Sequence, residues 1–314
     1  MKFLRSSMRL TRRVVFPCVG MLWLLGWWLG DRQPPLLWLF YIPAPLIAAW
    51  GLIDWALRLY RAGWARSGIT IAITLLALSK TLLFDSRWNR PTPPPPGAIH
   101  VEHWNVAHAP FGYAPVLRAL DADNADLIVF DEAKYSADLA DLTEKELGLT
   151  HVFHDQGMAI LSRYPFEPQG TISLPNARAW WAIIETPRGP LHVLTMDLLS
   201  HPALDRAPTM DALTMWLQDR TDTAPLIIVG DFNTTRSARA LDPLRKFMRH
   251  AYEAGGRGWP YSWPLPIPVY AIDHAWVSTN IVVHNYRLRT SAMSDHARQD
   301  FTISFASAPK SDND

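Results

Sequence analysis

Three long apolar runs crowd into the first ninety residues, and no other feature constrains the fold as much. Residues 14–30 form a 17-residue stretch without a charge, and residues 36–53 a stretch of 18, extending to Leu57 if Asp54 sits at an interface. Residues 69–79 and 81–84 make a third stretch, interrupted only by Lys80. A membrane-spanning helix needs roughly 20 apolar residues, with about 17 as the lower limit. The runs therefore predict three transmembrane helices, at about 14–30, 36–57 and 68–84. Eight of the tryptophans (23, 27, 28, 38, 50, 55, 64 and 88) lie largely near the ends of these runs, where indole rings favour the membrane interface. A cleavable signal peptide would show one shorter run and a small-residue cleavage site; three successive runs without such a site fit that alternative poorly.

Charge divides the chain at the same place. Residues 1–90 carry 12 Lys+Arg against 3 Asp+Glu, a net +9, while residues 91–314 carry 18 against 26, a net −8. The overall +1 is thus a cancellation rather than neutrality. Lys2, Arg5, Arg9, Arg12 and Arg13 precede the first run, and Arg58, Arg61 and Arg66 lie between the second and third. Positive loops stay in the cytoplasm, so the N-terminus is expected inside and residue 90 outside. If the third run only lies on the membrane surface, the remainder would be cytoplasmic instead. The single cysteine, Cys18, falls in the first run and excludes an internal disulfide and any thiolate-rich metal site.

Residues 90–97 read RPTPPPPG. Consecutive prolines favour the extended polyproline II form, a semi-rigid spacer rising about 3.1 Å per residue. The chain is therefore expected to comprise a membrane anchor at 1–90, a proline-rich linker at 91–98, a domain at 99–306 and a flexible tail at 307–314.

Within that domain, short β-type runs alternate with amphipathic stretches. Strands are expected at 99–105, 126–130, 158–161, 181–185, 191–195, 226–229, 275–277, 281–288 and 302–305, and helices at 114–120, 137–147, 207–220 and 237–249. The pattern suits a layered α/β fold. Polar residues gather where the strands end: Asn105, Asp131 and Glu132, Asp197 and His201, Asp231 and Asn233, Asp273 and His274, Asp295 and His296. Taken singly, each is an ordinary turn or surface residue. As a set they suit metal-assisted hydrolysis of phosphate esters. A hard divalent cation takes carboxylate oxygens, and Glu132 is the best candidate ligand. A histidine such as His296 moves a proton, with an aspartate holding its tautomer. Asn105 and Asn233 can donate amide hydrogens to a phosphoryl oxygen. Gly230 lets the backbone bend so that Asp231 and Asn233 point inward.

The segments WNVA (104–107), DLIVFDEA (126–133), GMAILSRYP (157–165), IIVGDFNTT (227–235), YSWP (261–264), IDHAWVS (272–278) and SDHARQDFTI (294–303) run in one order. In these the domain resembles the endonuclease/exonuclease/phosphatase (DNase I-like) family, and the anchor is similar to that of its bacterial membrane-anchored members. The resemblance implies a four-layer α/β/β/α sandwich with Mg²⁺ or Mn²⁺ as cofactor. It implies Glu132 as the main metal ligand, Asp295 as a metal-side carboxylate, and Asn105 as positioning the metal or phosphate. Asp231 would orient or activate water, Asn233 would bind phosphate, and His296 would act at the scissile phosphate. Asp273 would support His296 or sit near the metal. Two positions depart from the family pattern. Asp131 stands where a Gln usually precedes the metal Glu, and Asp197 stands where a His usually ends the strand before the long helix, with His201 four residues on.

The function expected is a membrane-anchored, divalent-metal-dependent phosphodiesterase or phosphatase. It would sit in a bacterial inner membrane as a multi-pass protein, with the catalytic domain on the periplasmic side. The bilayer and a phosphoester (a lipid head group, a small molecule or nucleic acid) are its expected partners, with no obligate protein partner. No basic stripe marks residues 91–314, which weakens a nuclease reading although Arg163, Arg178, Arg206, Arg236 and Arg239 could form a local basic rim. The competing readings are a catalytically inactive binding or scaffold protein of the same fold, which Asp197 favours, and an extracytoplasmic nuclease. A transporter fits poorly, since the runs lack paired intramembrane charges.

Overall fold

The computed structural model describes residues 15–31, 36–59, 68–120 and 125–306. The basic residues before the first run, together with Arg61, Arg66 and the expected tail at 307–314, lie outside the described residues. The chain divides into two units. One comprises Met1–Arg87 with His201–Asp205 and Ser237–Ala240; the other comprises Trp88–Ser200, Arg206–Arg236 and Leu241–Asp314.

In the first unit, α1 is Phe16–Leu29, α2 is Ala44–Leu59 and α3 is Gly68–Ser79, which continues as a π-helical turn over Lys80–Asp85. The run expected as one helix at 36–57 is in two pieces, a single turn Leu37–Phe40 and then α2. Pro43 explains the break, because it lacks an N–H and disfavours helix at the residue before it. At about 1.5 Å per residue, the 14 residues of α1 cover about 21 Å, short of a hydrocarbon core of about 30 Å. Among the described residues, Gly68–Asp85 is the one helix long and apolar enough to cross a membrane by length and composition. The helices approach through small residues. A Cβ added at Gly20 would lie 2.7 Å from Ile73, and one at Gly51 would lie 2.0 Å from Thr74 Oγ1. Phe16, Trp23, Ile47, Ile73 and Ala77 are buried among the helices, while Trp28, Ile53, Ile69 and Leu83 are exposed.

The second unit is built from two six-stranded sheets. We number its strands β1 Ile99–Asn105, β2 Leu127–Asp131, β3 His151–Asp155, β4 Met158–Ser162, β5 Phe166–Thr171, β6 Ala177–Thr186, β7 Gly189–Leu198, β8 Leu226–Asp231, β9 Met248–His250, β10 Asp273–Ser278, β11 Ile281–Arg289 and β12 Arg298–Phe305. The first sheet runs β11-β12-β1-β2-β4-β3 and the second β9-β10-β8-β7-β6-β5. Each contains one parallel pair at its centre, β1 with β2 and β7 with β8; the other pairs are antiparallel.

Side chains alternate across a strand with a period of two, and here one parity faces the space between the sheets. Ile99 and Val101, Leu127 and Val129, Leu191 and Val193, Ile227 and Val229, and Ala275 and Val277 form the inter-sheet core with Trp180, Ala182 and Ile184. The other parity of the first sheet (Trp104, Ile128, Phe130, Leu161) packs against helices α4 Tyr113–Arg118 and α5 Leu139–Leu147. On the far face of the second sheet, Trp181 meets Trp216 of helix α6 Ala207–Asp219 edge to face at 5.7 Å. Helix, sheet, sheet and helix thus follow one another as expected from the resemblance.

One expected helix and three strands differ from expectation. The helix expected at 237–249 is two 3-10 turns, Arg239–Leu241 and Leu244–Lys246, followed by β9. Pro43's argument applies again at Pro243, and Met248–His250 pairs with Ser278, Val277 and Trp276 of β10 instead of continuing a helix. Strands β3, β5 and β9 were not expected, since their burial pattern is mixed and their composition polar.

Close approach within the second sheet fixes one position absolutely. Gly230 lies opposite Met196, and an added Cβ would fall 1.8 Å from the Met196 carbonyl oxygen. Backbone cannot yield as a side-chain tip does, so Gly230→Ala must part β7 from β8. The expected cost is about 3 kcal/mol or more, read as a lower midpoint in urea unfolding followed by tryptophan fluorescence. An unchanged midpoint would show that the pair tolerates separation.

Candidate active site

The inter-sheet parity that is apolar along most of each strand turns polar at one end. On β1 it continues from Val101 to His103 and Asn105, and on β2 from Val129 to Asp131. On β7 it continues to Thr195 and Asp197, on β8 to Asp231, and on the antiparallel β10 it begins at Asp273. Cross-strand register then aligns the second sheet's side chains into one row: Arg178 opposite Asp197, Asp197 opposite Asp231, and Asp231 opposite Asp273. Asn105 is opposite Asp131 in the first sheet. The expected site residues on the strands therefore share one end of the sandwich because they continue one face.

Asn105 ties the two sheets' carboxylates together. Its Nδ2 donates to Glu132 Oε1 at 3.2 Å and to Asp231 Oδ2 at 3.1 Å, while its Oδ1 accepts from the Ala107 N–H. In this arrangement the amide holds the carboxylates rather than offering an oxygen to a cation. Glu132, next after the strand, has φ +48°, and Asn233 has φ +46°. Such backbone is uncommon for residues with a Cβ and tends to cluster at functional sites. Asn233 donates from its backbone N–H to Asp231 Oδ1 at 2.9 Å, and its side-chain amide donates to the Leu198 carbonyl.

Asp131, one of the two departures, is fully buried and accepts three hydrogen bonds. His103 Nε2 donates to Oδ2 at 2.8 Å, Thr195 Oγ1 to Oδ1 at 2.8 Å, and the Asp231 backbone N–H to Oδ2 at 2.9 Å. Gln299 Nε2 donates to His103 Nδ1 at 2.6 Å and Tyr286 Oη to Gln299 Oε1 at 2.6 Å, which leaves the Nε2 hydrogen of His103 for Asp131. Asp197, the other departure, is buried in the row and paired to Arg178 of β6.

His296 donates from Nδ1 to Asp273 at 2.9 Å, and its Nε2 lies 3.9 Å from Asp231 Oδ2. Asp273 takes further support from Ser262, whose Oγ accepts its backbone N–H. His274 faces the other way, on the Thr234 carbonyl, and burial lowers it to about 4. Asp295 stands apart from the row. It is exposed, and Trp263 Nε1 donates to its carboxylate at 2.8 Å. His201 is exposed, with its Nδ1 accepting the Ala203 N–H.

The row is an anionic one. Burial first, then the charges of Asp273 and Asp197, push Asp231 well above the usual carboxylate range against the pull of His296. Burial and the neighbouring Asp131 raise Asp197 to about 6 despite Arg178. Asp273 is lowered, because the charge and hydrogen bond of His296 outweigh its burial. Burial alone would lower His296, but Asp273, then Asp231 and Asp295, carry it up to about 10. Glu132, Asp197 and Asp231 each present an oxygen, all within 4.8 Å of one another. Oxygen donors at this spacing with excess negative charge fit a hard divalent cation. A separate group, His100, Glu102 and Asp300, sits near the other end of β1, where Arg289 and Arg298 already balance its carboxylates.

Of the residues that no sequence motif singled out, His103 and Thr195 support the site, as does Ser262 of the YSWP segment, and Arg178 borders it. Their signal lies in strand parity, which places Thr195 two residues before Asp197 and His103 two before Asn105.

A family model described as the endonuclease/exonuclease/phosphatase family matches residues 103–296. Among solved structures similar to this chain is an endonuclease/exonuclease/phosphatase family protein from Bacteroides thetaiotaomicron, 16% identical with a TM-score of 0.56, covering 69% of this chain and 96% of that one. Mannosyl-6-phosphatase from Bacteroides thetaiotaomicron VPI-5482 is 15% identical with a TM-score of 0.55, covering 66% and 100%. The human nocturnin catalytic domain with a bound sulfate anion is 19% identical with a TM-score of 0.53, covering 67% and 94%. At these identities the likeness is one of fold. No curated protein matches the chain.

The elevated His296 makes a direct prediction. In protein without added metal, its imidazole NMR resonances should remain those of the protonated ring through pH 8, with a midpoint toward 10. The imidazolium's contribution to stability is complete below its ordinary value of 6.5 and is lost as pH rises through about 10. Asp273→Asn should bring the midpoint down by more than one pH unit; a midpoint near 6.5 in the wild type would contradict the geometry.

Proposed function

Because this chain belongs to the endonuclease/exonuclease/phosphatase family, we propose that it is a divalent-metal-dependent hydrolase of phosphate esters, held at a membrane by its first unit. The observation that carries the reading is the row Asp197–Asp231–Asp273. Like charges directly opposite one another in a sheet are destabilising, and a fold has no need of three in succession. Glu132, Asp197 and Asp231 are the residues that would hold Mg²⁺ or Mn²⁺. Such a cation, when bound, would offset charge on the phosphate and act as a Lewis acid.

The chain's own groups supply the rest. Asp231 Oδ2, fixed by Asn105, accepts a proton from the attacking water as the water oxygen bonds to phosphorus. The bond from phosphorus to the leaving oxygen breaks, and that oxygen takes the proton on His296 Nε2. Asp273 holds the imidazole through Nδ1, so only Nε2 can deliver the proton. Asp231 then carries the water proton and His296 is neutral. Nε2 and Oδ2 are 3.9 Å apart, a span that a single water can bridge, and return of the proton through it restores the starting state.

Substrate choice follows from charge. Arg163 is paired with Asp126, Arg236 lies against Glu253 and the Tyr252 ring, and Arg206 donates to the Asn233 carbonyl. These guanidiniums serve the fold rather than a nucleic-acid track, which ordinarily requires several cations aimed at phosphates. A lipid head group or another small phosphoester suits the site better. Membrane attachment is supported by the 18-residue apolar helix Gly68–Asp85, by the exposed Trp28, Ile53, Ile69 and Leu83, and by the proline-rich segment that follows. The basic residues before the first run favour a cytoplasmic N-terminus, so in a bacterial inner membrane the second unit would lie on the periplasmic side.

Full-length protein in detergent should hydrolyse bis-p-nitrophenyl phosphate with Mg²⁺ or Mn²⁺ and stop when EDTA is added. Glu132→Gln should lower turnover at least about 100-fold, and His296→Gln by about 10²–10⁴. Absence of metal-dependent turnover, or full activity in His296→Gln, contradicts the assignment. For the anchor, an alkaline carbonate wash should leave the protein in the membrane pellet. Quantitative release into the supernatant would refute attachment by spanning helices.

A further inference from the structure

The carboxylate row has a cation at each end. His296 closes it at Asp273, and Arg178 closes it at Asp197. We propose that Arg178 is the site's second phosphate-binding cation, gripping the phosphoryl oxygens of the ester from the end opposite His296. It would take the place of the histidine that the family usually carries where this chain has Asp197. The inference rests on the hydrolase reading for its substrate, but it concerns phosphate recognition and can be tested without turnover.

Arg178 is directly opposite Asp197 on antiparallel β6 and β7, so both side chains lie on the inter-sheet face. Adjacent strands are about 4.8 Å apart, which puts the Arg178 backbone about 10 Å from that of Asp231, within reach of a phosphate over the row. The guanidinium is held on both sides of the sandwich. One Nη pairs with Asp197 of the second sheet, and the other donates to the Gln156 carbonyl, at the β3–β4 turn of the first sheet, at 3.4 Å. Gly157 keeps room for it, since a Cβ there would lie 3.0 Å from Nη1.

A guanidinium has five N–H donors. These two partners use one each, so three remain on a side chain that is 49% exposed at the open end of the row. Asp197 is buried and Arg178 half-exposed, so one edge of the guanidinium neutralises Asp197 while its remaining donors stay open to solvent. A planar fork pre-oriented beside three carboxylates is suited to a bidentate grip on phosphate. An ionised aspartate cannot donate a hydrogen bond to a phosphate oxygen. Asp197 can instead hold the group that does.

Full-length wild type, Arg178→Ala and Arg178→Lys would be compared with Mg²⁺ present by two readouts. Calorimetric titration with inorganic phosphate should show affinity at least about tenfold weaker in Arg178→Ala. Hydrolysis of bis-p-nitrophenyl phosphate should fall about 100-fold in kcat/KM, the scale of losing one preorganised donor. Millimolar guanidinium chloride should restore part of it where sodium chloride does not. Arg178→Lys keeps the charge, loses the fork and should fall between the two. If Arg178→Ala fails to unfold cooperatively, the lysine variant decides by the same readouts, and wild-type values there overturn the inference. Undiminished phosphate affinity in folded Arg178→Ala also overturns it. So does lost turnover with intact phosphate affinity and no rescue by guanidinium, because Arg178 would then only position Asp197. If the wild type binds phosphate through Arg178 yet hydrolyses nothing, the hydrolase reading falls and the inference stands.

Discussion

Both sheets of the second unit depend at their open end on one buried carboxylate. Asp131 accepts the Thr195 hydroxyl hydrogen, the Asp231 backbone N–H and the His103 imidazole hydrogen. The first two donors belong to the second sheet, while Asp131 itself ends a strand of the first. A buried polar tie stabilises only when every member is satisfied, and here Gln299 and Tyr286 complete the chain behind His103. The tie sets the distance across which Asn105 can reach both Glu132 and Asp231. It also closes the apolar layer at the point where the inward-facing residues turn polar.

That closure makes an unfavourable row of charges tolerable. Asp197, Asp231 and Asp273 stand on three neighbouring strands in register, so burial and nearby carboxylates favour protonation of Asp197 and Asp231, while His296 keeps Asp273 below the usual range. For Asp197, raised to about 6, the fold prefers the neutral acid, and stability declines as pH rises from its ordinary 3.8 through that value. His296 and Arg178 offset part of this from the two ends. The remaining imbalance, with the left-handed backbone of Glu132 and Asn233, is strain kept where chemistry would use it.

Much of this was legible in the chain. Alternating runs gave the central strands, and the segments at their ends gave Asn105, Glu132, Asp231, Asp273 and His296. Three features needed the third dimension. Asp131, which reads as added negative charge beside Glu132, is instead a structural acceptor, because partners from the other sheet arrive through hydrogen bonds to residues 64 and 100 positions away. Asp295 sits beside His296 in sequence, yet alternate positions at a strand entrance face apart, and its carboxylate meets Trp263. The stretch 237–249 has helix-forming residues, but Pro243 and the pairing of Met248–His250 with β10 decide otherwise.

The sequence by itself determined the two-part organisation, the apolar runs and opposed charges, the strand periodicity and most of the residue types at the site. Local patterns suffice for these, since apolar periodicity and turn chemistry act between near neighbours. Only the tertiary structure decided that Arg178 faces Asp197, that Asp131 joins the sheets, and which member of each adjacent acid–histidine pair enters the row. Those outcomes depend on strand register, which is fixed by the burial of one face of every strand at once.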